Sequence, residues 1–470
     1  MSALTVGTGS MEGQRERLAS RAEAPLRTGA WGVRGRLVVA GLALVVAWGI
    51  FAWIWQVSHG LSVTGLSNHV TWGLYITNLV FFAGISMAGT LVSAVLRLTH
   101  AEWRRPITRL AEMITVAALI VAATMVVADM GRPDRLLNVI LHAHLRSPLL
   151  WDFLSISTYI AASILYLYLA LVPDLALLRD AHVGGRFRTK LYTLLSLRWS
   201  AMPEQRRLLS RAIGIMAVVI VPVAVSVHTV VSWIFGMTLR TGWDSTIFGP
   251  YFVVGAIFSG LAGIIVVMAI FRRAYHLEEF ITETHFKRLG ALMMVLGIMY
   301  LYFTLSEYAT AGFKMQADDA PLLTAMLVGR YASMFWTFVV FGTIVPVIIL
   351  AVPRTRTPRW IVTAAMLVTV GMWLKRFVII VPSMALPLMP YAWGSYRPTW
   401  VEWSITAAAF AGFGLIFVLF ARVFPVISVW EMVEGWEVRA KRGIEVPAPA
   451  SSTPVPTPAP VPVLIAGGPS

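Results

Sequence analysis

Cysteine is absent from all 470 residues. That absence excludes iron–sulfur ligation, c-type haem attachment and thiol redox chemistry within this chain. Charge is scarce too: 13% of residues are Asp, Glu, Lys or Arg, while 58% are apolar and the mean hydropathy is +0.74. A soluble chain of this length needs far more polar surface. Histidine is thinly spread. Of nine, only His228 falls well inside a predicted helix, so no b-type haem held by two histidines is expected.

What is present is a succession of apolar runs of 20 residues or more, each long enough to cross about 30 Å of hydrocarbon as a helix. A barrel would need alternating segments of about ten residues, and these runs are continuously apolar. The backbone must satisfy its own hydrogen bonds in lipid, so helices are expected. They are predicted near 37–57, 71–98, 107–130, 150–172, 211–236, 248–271, 288–309, 326–350, 359–381 and 405–424. The fold class is an all-α integral membrane protein of about ten transmembrane helices. Residues 1–36 form an N-terminal segment, too long and too mixed in charge for a cleaved signal peptide. The span 37–57 is peripheral, 71–236 and 248–381 are two four-helix bundles, and 405–424 is a second peripheral helix. Residues 443–470 carry eight of the 25 prolines and read as an extended or disordered tail.

The net charge of +15 reflects topology rather than a nucleic-acid partner. On one side lie the N-terminal segment, the C-terminal segment and the loops near 97–109, 179–211, 272–288 and 354–359, with 29 Lys and Arg. The other side has seven: Arg132, Arg135, Arg146, Arg240, Lys314, Arg330 and Arg397. Lys375 and Arg376 fall within the ninth helix. Positive charge collects on the cytoplasmic side, which places both termini there.

With that orientation, nearly every ionisable group embedded in a helix lies in the outer half, Glu112 excepted. Intramembrane charges are costly, so the clustering suggests a site or a proton path. Each group also has a plain structural reading. Asp152, behind Ser147 and Pro148, could answer a helix dipole, and Asp244 with Ser245 could cap the sixth helix. Lys375 and Arg376 could snorkel outward. His228 could bond a carbonyl freed by Pro222. Asp129 and Glu307 end helices, where the dipole opposes negative charge; Arg132 and Lys314 could pair with them. A weak internal echo supports the two bundles. Trp72-Gly73-Leu74-Tyr75 and Phe248-Gly249-Pro250-Tyr251 open helices 176 residues apart, Gly84 and Gly260 keep that offset, and Asp129 and Glu307 are 178 apart.

Trp72-Gly73-Leu74-Tyr75-Ile76-Thr77-Asn78, then Asp129-Met130-Gly131-Arg132-Pro133-Asp134-Arg135, then Ser147-Pro148-Leu149-Leu150-Trp151-Asp152 resemble the NrfD/polysulfide-reductase membrane subunits. The likeness covers roughly residues 40–425. Ten helices and the stretch from Gly242-Trp243-Asp244 to Pro250-Tyr251 are similar, more narrowly, to ActC-type subunits of bacterial alternative complex III. The resemblance implies a multi-pass protein of the bacterial cytoplasmic membrane, a subunit without its own haem or cluster rather than an enzyme alone. It implies a quinone (menaquinone or ubiquinone) bound near the outer face, with possible proton translocation. It also implies an iron–sulfur subunit docked there, multihaem cytochrome c subunits and a sister NrfD-like membrane subunit. Quinol oxidation needs a group that accepts a proton. His142, His144, Asp152 and Asp244 share the outer side and are the candidates. Trp72, Tyr75, Trp151 and Arg132 are candidates for the quinone pocket. Asp129, His228, Glu307 and Lys314 are candidates for proton movement. The competing readings are a secondary transporter, against which stands the clustering at one face, and a membrane anchor of another quinone-linked oxidoreductase.

Overall fold

A computed structural model describes Gly13 and residues 32–182, 185–238, 240–389 and 391–441, with side chains through Gly435. Most of the N-terminal segment and the proline-rich tail lie outside those residues. Ten helices among the described residues are long and apolar enough to cross a membrane. We number them α1 (Val33–His59), α2 (Leu74–Leu98), α3 (Glu102–Asp129), α4 (Pro148–Asp180), α5 (Pro203–Met237), α6 (Phe248–Ala274), α7 (Glu283–Lys314), α8 (Ala332–Ala351), α9 (Pro358–Ala385) and α10 (Trp400–Val423).

Several outrun the apolar runs that announce them. Helix α4 continues to Asp180, and α5 begins at Pro203 through Glu204, Arg206 and Arg207. Such turns stand outside hydrocarbon, where hydropathy has no grip. The eighth span begins at Ala332, not near 326. Asp319–Leu327 is a separate helix, closed where the Gly329 amide donates to the Thr324 carbonyl at 2.8 Å.

Helices α2, α3, α4 and α5 pack on one another, as do α6, α7, α8 and α9, and α2 packs directly on α6. Helix α1 leans on α10 and leaves most of its surface open. At the α2–α6 crossing Gly84 meets Gly260. A Cβ on Gly260 would lie 2.9 Å from the Gly84 carbonyl oxygen and 2.8 Å from that of Ile85. Helix association within a bilayer lacks a hydrophobic drive and depends on such close approach. Helices α8 and α9 repeat the device at Gly342 and Gly371.

The loops define two ends. One, here called the basic end, carries 99–101, 181–182, 185–202, 275–282 and the helix Val429–Lys441. The other carries 60–73, 130–147, 240–247, 315–331, 386–389 and 391–399.

Candidate functional site

At the end opposite the basic one, α3 stops at Asp129. Gly131 takes a positive φ of 63°, Pro133 prevents continuation, and the chain runs through the short helix Asn138–Leu141 to α4. Helix α4 starts at Pro148, so Asp152 sits in its second turn rather than its first. The Ser147 side chain makes no capping bond there, and the Asp152 carboxylate caps nothing. Its Oδ1 is buried without a hydrogen-bond partner, and so is Oδ1 of Asp129. The pairing expected between Asp129 and Arg132 does not form. Arg132 is exposed and turns to Asp134, with bonds of 3.1 and 2.8 Å. That contact holds the Asp134 carboxyl below its ordinary range.

His142 and His144 are exposed on the intervening loop. Around them Leu137, Ile140, Leu141, Leu145 and Leu149 are also exposed. Trp151 secures this loop by donating its indole N–H to the Leu145 carbonyl at 2.7 Å. Trp72 is elsewhere, stacked on Trp243 and edge-on to Phe235. Tyr75 is wholly buried, its hydroxyl donating to Gln56 Oε1 at 2.5 Å, while Gln56 Nε2 donates to the Ala128 carbonyl at 2.7 Å. Tyr75 therefore braces the end of α3 and does not line an open pocket together with Trp151.

Asp244 is exposed and does not cap α6, whose N-cap is Ile247 without a side-chain bond. It belongs with a second cluster. Burial, and then the nearby Asp244, push the Asp319 carboxyl up, against the pull of Lys314. Asp319 shares a cavity with Glu307, Tyr251, Tyr308 and Lys375, with about 40 Å³ of room for water. Glu307 is not terminal, since α7 runs on to Lys314. Its Oε2 accepts the Ser245 hydroxyl at 2.6 Å, and Lys314 lies exposed at the helix end.

Lys375 and Arg376 do not snorkel; each is 1% exposed. Lys375 Nζ donates to the Tyr308 hydroxyl at 2.9 Å and lies over the rings of Tyr251, Tyr308 and Phe338. Desolvated cations over aromatic faces are held at about 2 kcal/mol or more each. His228 is buried with Nδ1 3.1 Å from the Ala224 carbonyl, four residues earlier, and Nε2 unpartnered. The carbonyl that Pro222 would free belongs to Val218, so the kink does not explain this bond.

Two polar assemblies escape the sequence reading. Glu402 is fully buried and accepts the Tyr396 hydroxyl at 2.6 Å, the Gly65 amide at 2.7 Å and the Thr399 amide at 2.9 Å. The Thr399-x-x-Glu402 capping box was its legible signal. At the basic end, Arg109 Nη2 donates to Asp174 at 3.0 Å and to the Ala170 carbonyl at 2.7 Å, with both side chains of the ion pair buried. Asp174 also accepts the Trp430 amide at 3.0 Å. Glu431 pairs with Arg97 and, at 2.9 Å, with Arg104. Although burial opposes it, the surrounding Arg104, Arg97, Arg109 and Arg105 hold the Glu431 carboxyl below its ordinary range. Ser93 donates to Glu112 at 2.8 Å. Embedded ionisable groups thus occur at the basic end as well as at the other. Among the described residues, no three His, Asp or Glu side chains converge as metal ligands.

The sequence as a whole decides the family. The NrfD polysulphide reductase profile matches residues 62–387. The chain belongs to the NrfD family. A putative dimethyl sulfoxide reductase membrane protein of Halobacterium salinarum is 29% identical over 419 residues, 84% of this chain and 92% of that one. The Hdr-like menaquinol oxidoreductase integral membrane subunit of Archaeoglobus fulgidus is 25% identical over 417 residues, 84% of this chain and 94% of that one. A menaquinone reductase integral membrane subunit of Nitratidesulfovibrio vulgaris is 31% identical over 144 residues, 29% of this chain and 33% of that one. This NrfD member is a multi-pass integral membrane protein.

Proposed function

We propose that this NrfD protein is the quinone-interacting membrane subunit of a multi-subunit electron-transfer complex of the bacterial cytoplasmic membrane. Its basic end faces the cytoplasm, as the charge asymmetry indicates. It supports quinol oxidation at the opposite end, beside the segment joining Asp129 to Asp152. The names of two relatives, a menaquinol oxidoreductase subunit and a menaquinone reductase subunit, favour a quinone over other hydrophobic substrates. The motif from Gly242 to Tyr251 favours an assembly like alternative complex III, with iron–sulfur, cytochrome c and sister membrane subunits as partners.

The observation that carries the reading is the orphaned Oδ1 of Asp152. A buried acceptor without a partner costs about 1–3 kcal/mol, more for a charged group. A native chain retains such a cost where a ligand, a water or a proton uses the atom. Oxidation of a quinol to a quinone releases two electrons and two protons. The electrons leave to partner subunits, since this chain has no thiolate to hold a cluster. Asp152 accepts the first proton at its unpartnered oxygen, the second passes to water at the exposed adjoining loop, and His142 or His144 on that loop orients the substrate hydroxyl. The exposed leucines and Ile140 around these histidines offer an apolar rim for the ring and tail of the substrate. Asp129 receives the proton next, and the Glu307–Lys375 cluster with Asp244 forms a separate protonatable group in the second set of helices.

Quinol turnover by the intact complex tests this. Asp152→Asn should lower it by about 10²–10⁴ with assembly unchanged. Undiminished turnover in that variant would overturn the site. A membrane anchor serving another oxidoreductase, as the Halobacterium relative's name suggests, predicts unaltered quinol turnover in the same variant.

A further inference from the structure

The basic end carries a feature that electron transfer does not use. Between α4 and α5 the short helix Arg186–Leu195 is laid against the bundle. Its roll is fixed by three ties. The Tyr192 hydroxyl donates to the carbonyl of Val423, the last residue of α10, at 2.8 Å. Tyr168 of α4 donates to the Leu195 carbonyl at 2.8 Å. Arg179 bonds Ser196 Oγ at 3.1 Å and the Trp199 carbonyl at 2.9 Å. The tie to Val423 sets the helix level with the end of a membrane span.

With Tyr192 turned inward, two other faces are displayed. Phe187 and Leu194, seven residues apart and so on one edge, are 81% and 74% exposed, and Leu197 just beyond is 65% exposed. Beside that edge His182, Arg186, Thr189, Lys190, Thr193 and Leu194 line an open groove of about 680 Å³. Two cations and the Thr189 hydroxyl therefore border a space with no carboxylate in its lining, while the Thr193 hydroxyl donates to the Thr189 carbonyl at 2.7 Å. The adjacent apolar edge stands at the depth where acyl chains meet headgroups. Helices with this division lie in the interfacial plane, and basic residues there attract anionic lipid.

We propose that the groove is a binding site for an anionic phospholipid, its phosphodiester held by Arg186 and Lys190 and its acyl chains along Phe187 and Leu194. A free phosphate would leave the apolar edge bare, and an acidic protein would have to displace lipid from it.

Because the chain lacks cysteine, one label reports alone. Leu194→Cys in the full chain, carrying an environment-sensitive fluorophore, would be reconstituted in a fixed mixture of phosphatidylglycerol and phosphatidylcholine. One or the other lipid would carry brominated acyl chains as quencher. Brominated phosphatidylglycerol should quench well beyond its share of the mixture. Each basic residue near the surface contributes about fivefold enrichment, so R186Q/K190Q should remove most of the excess while quenching itself persists. Equal quenching by the two lipids would overturn the headgroup selection without needing the variants. No quenching by either would show that the helix does not lie in the bilayer. Loss of the preference on adding inorganic phosphate would make the groove a phosphate site. A label shielded in native membranes yet unquenched in vesicles would place a protein there. Each of these last three outcomes defeats the proposal.

Discussion

The two ends of the molecule differ in whether guanidinium groups meet their buried acids. At the basic end Asp174 accepts from Arg109 and Trp430 and Glu431 from Arg97 and Arg104, while Glu112 accepts from Ser93 and leaves its Oε2 buried without a partner. At the other end Asp129 and Asp152 each keep a buried oxygen without a partner, while Glu402 accepts from Tyr396, Gly65 and Thr399. Burying an ion is tolerable when its partner and hydrogen bonds come with it. The paired acids are explained by packing alone; the unpartnered ones are not. Burial by itself therefore does not mark a functional carboxylate; an unpartnered oxygen makes one a candidate, and position beside the loop 130–147 separates Asp129 and Asp152 from Glu112.

Removing one charge at each end sharpens this contrast. Asp152→Asn should reduce quinol turnover by about 10²–10⁴ and leave thermal stability of the purified complex nearly unaltered. If it unfolds the protein, the two ends are alike and the contrast fails. Arg109→Met should do the reverse, since removing one partner of a buried pair costs about 3–5 kcal/mol. Detergent-solubilised melting would show it. Adding Asp174→Leu to Arg109→Met should recover much of that loss, because an apolar replacement of both partners is often neutral.

Acidification supplies a smaller effect. The Glu431 carboxyl lies below its ordinary value of 4.5 in the folded chain. Its contribution is therefore fully present above about pH 4.5 and is lost as pH falls through the lowered value. Hydrogen exchange in the helix Val429–Lys441 should accelerate over that window, and Glu431→Gln should flatten the response. The least effect belongs to Arg132, which lies exposed against Asp134. Arg132→Gln should change neither melting nor the quinol concentration for half-maximal turnover. A rise in that concentration would instead return Arg132 to the quinone pocket.

Much of the architecture was legible because apolar length is a one-dimensional property: ten runs gave ten helices. The break before Ala332 was not, since Leu322, Leu323, Met326 and Leu327 extend the apolar stretch back beyond it. Within the site, Asp129 and Asp152 could be picked out as acids beside helix ends. What sequence could not supply was the identity of partners. Arg132 lay nearest to Asp129 along the chain, yet Asp134 won it through a short surface contact. Arg109 and Asp174 were separated by 65 residues, and Arg109 was counted as loop charge until α3 and α4 brought the two together. Lys375 was expected at the water because long cations usually reach it. Three aromatic rings, with the hydroxyl of one of them, Tyr308, as its acceptor, hold it inside instead.

Glu431 follows all ten spans in the chain, yet it is the acid that balances Arg97 and Arg104 beside α2 and α3. During synthesis those two arginines must therefore wait, in water or against lipid headgroups, until the ribosome has delivered the helices that follow. The basic end closes last, when its final acid arrives. A chain interrupted after α10 would carry every membrane span and still present unneutralised guanidinium groups where Glu431 belongs. That distinguishes an unfinished molecule from a finished one.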